Sequence, residues 1–235
     1  MKKLVLMLAA AVAATGLVRA QEAAPDVEVT GADELVQRKG GLASTWVRPD
    51  ADISRYGKLY LWEPEFSFRE GGETTAGTTA KLVRGDSGPY AIRPEDQERF
   101  KQLVSEQFVA ELARGKLFEV VNEVGPGTLI VRAGFLDITS DVPPNVERYG
   151  NVHLASVGEA TIVFELIDAS TGVIQARAAE RQEIQPEFRK RGVNAAPANS
   201  ATVWSDVERW AREQAQDLRK ALEKAKTKAE KQAEP

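Results

Sequence analysis

VGEATIVFELIDASTGVIQARAAERQEI (157–184) is the stretch that decides the fold. Ala160, Ile162, Phe164 and Leu166 alternate with Thr161, Val163, Glu165 and Ile167, the period of two that a pleated strand imposes. Ala169-Ser170-Thr171-Gly172 then interrupts the alternation with turn residues, and an extended pattern resumes over 173–184. The stretch reads as a hairpin of two long strands. Upstream, residues 118–121 read as a short strand, Gly125-Pro126-Gly127 as a tight turn and 128–138 as a further strand. KLYLWEPEFSF (58–68) alternates too, with Leu59, Leu61 and Glu63 pointing one way and Tyr60 and Trp62 the other. Pro64 has no N–H, so the far end of this strand lies at an edge or leaves the sheet.

Two amphipathic helices complete the pattern. Pro94 at a first helical position, followed by Glu95, Asp96 and Glu98, opens one of them. Phe100, Leu103, Val104, Phe108 and Leu112 form its apolar stripe, and Gly115 stops it. The other spans 203–226, with Val203, Val207, Trp210, Gln214, Leu218 and Leu222 at helical spacing. The order β-α-β-β-β-β-α predicts an α+β fold: a mostly antiparallel sheet of about five strands with both helices on one face. If each tight connection reverses the chain, the 69–92 loop lies at one end of the sheet, and the 139–156 and 185–202 loops lie at the other.

The chain has 235 residues, enough for one sizeable core. Lys2 and Lys3, the apolar run Leu4 to Gly16, and Val18 and Ala20 at the −3 and −1 positions predict a signal peptide cleaved after Ala20. The expected division is a signal peptide (1–20), a flexible leader (21–45) with a helical turn over 33–38, one α+β domain (46–226) and a charged tail (227–235). The 31 basic side chains, less Lys2, Lys3 and Arg19, leave 28 against 35 acidic ones, a balance that argues against nucleic acid as a partner. No second apolar segment could span a membrane, so the mature chain is expected in the periplasm of a Gram-negative-type bacterium. Zero cysteines exclude disulfides, thiol nucleophiles and Cys-type zinc or iron–sulfur sites; one histidine excludes any site needing two.

The segment WVRPDADISRYGKLYLWEPEF (46–66) resembles the opening of the bacterial envelope proteins called the "domain of unknown function 3313" family. RPEDQERF (93–100), LFEVVNEVGPGTLIVRAGFLDI (117–138), GEATIVFELIDASTGVIQARAAER (158–181) and WSDVERWAREQAQDLRKAL (204–222) follow in that family's order. The resemblance runs from Trp46 to about Leu222. It implies an exported envelope protein, often a lipoprotein, and brings no catalytic residue with it. This chain lacks the lipid-bearing cysteine, which favours free residence in the periplasm.

Residues able to carry chemistry are few. His153 is the one side chain that shuttles protons near neutral pH unaided, with Ser140 or Ser156 as nucleophile and Asp141 as orienter. Neither serine sits in a nucleophile-elbow turn. Glu63 and Glu65, two residues apart on one strand face, have a spacing open to acid–base work or to plain solvation. Arg189, Lys190 and Arg191 beside Phe188 could meet an anionic polymer, a headgroup or an acidic protein patch. The basic tail from Arg219 is a weaker feature of the same kind. Tyr60 and Trp62 form an aromatic patch for a partner unless the leader or the long loop folds over them. No metal loop, phosphate loop or cofactor motif is present, and no cofactor is expected. The expected function is binding, with an unknown envelope protein or anionic surface polymer as partner; the alternative is a periplasmic hydrolase using His153 or a carboxylate pair.

Overall fold

A computed structural model describes residues 27–39, 44–70, 89–143, 153–187, 196–197 and 199–233. The predicted hairpin is present as β8 (Gly158–Asp168) and β9 (Ile174–Ile184), paired antiparallel from Gly158↔Ile184 to Ile167↔Ile174. Gly172 makes its turn with φ 70°, and a Cβ there would stand 1.9 Å from the Glu28 carbonyl oxygen, so both the turn and the crossing chain require glycine. On the other side β8 pairs antiparallel with β6 (Thr128–Ser140).

From this centre an eight-stranded sheet extends both ways. Strands β1 (Val36–Arg38), β2 (Ser44–Val47), β3 (Lys58–Leu61), β4 (Glu65–Phe68) and β5 (Glu119–Val121) complete it, in the order β1-β2-β9-β8-β6-β3-β5, with β4 beside β6. The α+β class holds; the strand count rises from about five to eight, and the antiparallel pairing is interrupted on one side by parallel pairs. β3 runs parallel to both β5 and β6, and β4 runs parallel to β6. The reason is α1 (Pro94–Leu112), which carries the chain back along the sheet so that β5 starts at the same end as β3. A separate two-stranded ribbon joins β7 (His153–Leu154) to β10 (Ala196–Pro197).

The 58–68 alternation is two strands, not one. It breaks at Trp62–Pro64, so that Leu59 and Leu61 of β3 and then Phe66 and Phe68 of β4 all meet the same core. The break lies opposite Val131–Gly134 of β6; further along, opposite Phe66–Phe68, β6 has its own irregularity at Leu136 and Asp137, where Asp137 takes φ 53°. Each change of phase keeps the apolar residues after it, Phe66 and Phe68 on β4 and Ile138 on β6, in the core under the helices.

That core lies between the sheet and two helices, α1 and α2 (Ser200–Ala233). Phe135, fully buried, stacks on Phe66 at 5.2 Å and meets Phe108 and Trp210 at 5.3 and 6.1 Å. The helices run side by side in the same direction: Arg212 bonds Gln107 and Gln216 bonds Glu111. Asn199 caps α2 by accepting from the Thr202 N–H at 3.0 Å. α2 continues past the expected 226 to Ala233, and Lys226 donates to the Tyr56 and Leu117 carbonyls at 2.7 and 2.9 Å. Among the described residues no helix is long and apolar enough to cross a membrane.

The opposite face of the sheet is covered at one end. Val27, Val29 and Leu35 pack over Tyr60, Ile130, Ile167 and Ile174. Arg48 holds this segment down, donating to Gly31 O at 3.1 Å and Ile174 O at 3.2 Å and pairing with Glu34. The leader expected to be flexible thus contributes, in its described part, a 3-10 turn (Ala32–Glu34) and two strands. The helical turn expected over 33–38 is replaced by that 3-10 turn and β1, because β2 offers Val36–Arg38 an antiparallel partner.

Candidate functional site

Parallel β4 has a consequence for the loops. Arg69 N–H bonds Ile138 O, and Tyr90 N–H bonds Ser140 O at 2.7 Å. Both ends of the 69–92 connection therefore sit beside the end of β6, on the same side as the 139–156 and 185–202 connections. The expectation that they lie at opposite ends is corrected. The two helices also begin here, so three connections and two helix N-termini converge on one end of the sheet.

A solvent-open cleft of about 220 Å³ lies between them. Ile92 and Phe100 come from the start of α1, and Ile138 and Val142 from the end of β6. Val157 and Ile184 come from the hairpin, and Val203, Trp204 and Val207 from α2. Arg93, Asp96, Ser140 and Ser200 supply its polar lining. Arg93 donates to Asp96 at 2.8 Å, and the Arg99 guanidinium lies 4.5 Å from the centre of the Trp204 ring. An engineered apolar cavity of about 150 Å³ admits benzene, so this cleft accommodates at least one ring-sized apolar group. The positive dipole ends of both helices lie at its mouth, where Glu95 and Asp96 stand in the first turn of α1 and Asn199 already accepts from the Thr202 N–H.

Asp141 stands beside the cleft between two lining residues, Ser140 and Val142. Burial pushes its carboxyl above the ordinary value. The Ser156 hydroxyl opposes this by hydrogen bonding, while the charges of Glu159 and Glu183 add to it. Asp141 and Ser156, predicted as members of one triad, are thus in contact. The Ser156 hydroxyl is also tied to Gly158, at 3.1 Å to both its N–H and its carbonyl, and the Ser140 hydroxyl accepts from Val142 N–H at 3.1 Å. These bonds cap the turn between β7 and β8 and the end of β6. His153 belongs to β7, paired with Pro197; its side chain lies outside the described residues.

The remaining candidates separate. Arg189, Lys190 and Arg191 lie outside the described residues, as does the segment read as a signal peptide. Tyr60, proposed for a partner-binding patch, is 5% exposed beneath Val27, Val29 and Leu35, so the covered alternative is the one observed. Trp62 is half-buried under the Arg132 guanidinium, 5.3 Å from its ring centre. Arg132 and Arg177 flank Glu165, with nitrogen–oxygen distances of 2.6 and 2.7 Å. Asp137, Arg69, Arg181 and Glu159 form a second run of ion pairs on this face. Glu63 lies in the link before β4 and Glu65 opens that strand, both exposed. Among the described residues no group of three His, Asp or Glu could hold a metal ion.

Sequence reasoning missed the cleft. Its lining comes from five segments far apart in the chain, and the one local signal was a tryptophan, Trp204, at the exposed start of a helix.

No family model matches the chain, and no curated protein matches it. The resemblance to the "domain of unknown function 3313" family is therefore not matched by a family model. Among solved structures, protein XCC0632 from Xanthomonas campestris, described as family-model DUF330, is 12% identical; the alignment covers 89% of this chain and 97% of that one, with a TM-score of 0.45. The PelC dodecamer from Paraburkholderia phytofirmans is 11% identical over 79% of this chain and 96% of that one, with a TM-score of 0.34. The hypothetical protein CT253 from Chlamydia trachomatis is 10% identical over 71% and 98%, with a TM-score of 0.37. Likeness of this order says nothing of what the chain binds.

Proposed function

We propose that the protein is an exported cell-envelope protein that acts by binding, and that its cleft takes an apolar group carrying an anionic end from an envelope partner or surface component. One observation carries this reading: an apolar cleft open to solvent at the end of the sheet where both helix N-termini converge. Apolar walls recover the cost of hydrating such a group, and the helix ends favour a negative charge at the mouth. Export is supported by Lys2, Lys3, the apolar run from Leu4 and the small residues Val18 and Ala20.

Anilinonaphthalene sulfonate, an apolar ring system bearing an anion, tests the site directly. The folded protein should bind it saturably, with one equivalent per chain, and Ser200→Trp, which fills the mouth, should abolish binding without lowering Tm. Absence of saturable binding, or equal binding by the Ser200→Trp protein, would contradict the assignment.

A further inference from the structure

Three strand edges of the sheet, those of β1, β4 and β5, are covered by no described strand, and β1 differs in charge from the other two. At one end, β1 pairs only with β2, and its three residues Val36, Gln37 and Arg38 are all exposed, Val36 by 44%. At the other end, β4 pairs only with β6. β5 stops at Val121, alongside Tyr60, which leaves the lane outside β4 vacant among the described residues. Every second residue along such an edge sends its N–H and C=O outward, where they match only another extended backbone.

Side chains say which backbone. Arg38 and the neighbouring Lys39 make no ion pair or hydrogen bond with another described side chain, and neither do Glu63 and Glu65 at the β4 edge. A groove between β4 and α1 is lined by Glu63, Gln102 and the Lys101–Glu98 ion pair, with half-buried Phe66 as its apolar floor, so its unbalanced charge is that of Glu63. Two β1 edges meeting would oppose Arg38 and Lys39 to their own copies, and two β4 edges would oppose Glu63 and Glu65 to theirs. β1 against β4 brings two cations to two carboxylates and lays Val36 beside the Phe66 groove, whereas the short β5 edge offers the single carboxylate of Glu119.

We propose that the β4 edge of one molecule receives β1 of a second copy of this chain, extending the sheet head to tail. Strand direction is compatible with this. Four antiparallel steps separate β1 from β6, and β4 is parallel to β6, so β1 and β4 point the same way. The joint is then a parallel pair with the helices of both copies on one side. Such a contact is heterologous: it repeats, and it ends in a closed ring or an open filament.

Sedimentation velocity on the full chain isolated from cells, at low salt and over a range of concentrations, tests this. Wild type should self-associate, and added salt should weaken the association. Arg38→Glu/Lys39→Glu and Glu63→Lys/Glu65→Lys change only exposed side chains, so each should keep the wild-type Tm. Each alone should associate at least about tenfold more weakly, because every joint it makes with itself is like-charged. Mixed in equal amounts the two variants should associate again, since each supplies the edge the other needs. A wild-type monomer at every concentration, charge variants that associate like wild type, or a mixture that stays monomeric would each overturn the proposal.

Discussion

Asp168 does the work of two residues. One carboxylate oxygen accepts from the N–H groups of Ser170 and Thr171, shaping the β8–β9 turn. The other accepts from the Tyr56 hydroxyl at 2.7 Å and from Arg55 at 2.6 Å. Burial alone would raise its pKa, but these bonds and the Arg55 charge outweigh burial and hold it below the ordinary value. Tyr56 is pushed up to about 12 by burial and by the carboxylate it donates to. Asp141 is the opposite case, with burial dominant and its pKa raised. The two should part in a pH series of chemical denaturation. Asp168→Ala should cost about 1–3 kcal/mol at pH 7, since several buried donors lose an acceptor. That cost is full above the unfolded carboxylate value of about 3.9 and lost as pH falls through the lower folded value. Asp141→Asn should stabilise at pH 7, and its gain should vanish below about pH 4, where the wild-type carboxyl is protonated in both states. A pH-independent Asp168→Ala deficit, or a destabilised Asp141→Asn protein at pH 7, would contradict these assignments.

Helices and the central hairpin were legible at the scale of elements, because repeating patterns of seven or more residues carry their own period. Phe100, Val104 and Phe108 mark α1 as clearly as Ala160, Ile162 and Phe164 mark β8. What could not be read was phase. The stretch 58–68 looks like one strand because its alternation is continuous on paper, while the break at Trp62–Pro64 shows only in how the two halves pair with β6, about 70 residues away in sequence. β1 and β2 were hidden for another reason: strands of three or four residues, such as Val36-Gln37-Arg38, have no period to detect. The N-terminal segment that covers Tyr60 is likewise tied by main-chain bonds, Thr30 N–H to Gly172 O at 2.9 Å and Ile174 N–H to Thr30 O at 3.0 Å. These depend on glycine at the hairpin turn. Gly172→Ala should therefore destabilise by about 1–2 kcal/mol through its left-handed φ. It should also lift residues 27–35, raising hydrogen exchange at Thr30 and Ile174 and shifting the Tyr60 environment toward water. Unchanged exchange at both amides would show that the covering segment is held by other means.

At the scale of the molecule, the arrangement separates stability from binding. Phe135, Phe108 and Trp210 fill the middle of the helix-covered face, and the far ends of the helices are locked by Lys226 to the chain at Tyr56 and Leu117. The cleft sits at the other end, where the helices begin and three connections meet. The sequence directed attention to two of those connections and to His153, whereas the cleft itself is an outcome of parallel β4 and parallel helices, which no single segment encodes. Photo-crosslinking in intact cells tests the binding assignment most directly, with the photoreactive residue at Ala91 in the cleft lining and a control at exposed Asp217 on α2. The account predicts a discrete adduct from Ala91 that is absent from Asp217 and is lost when Ser200→Trp is added. The same adducts from both positions, or none from Ala91, would contradict it.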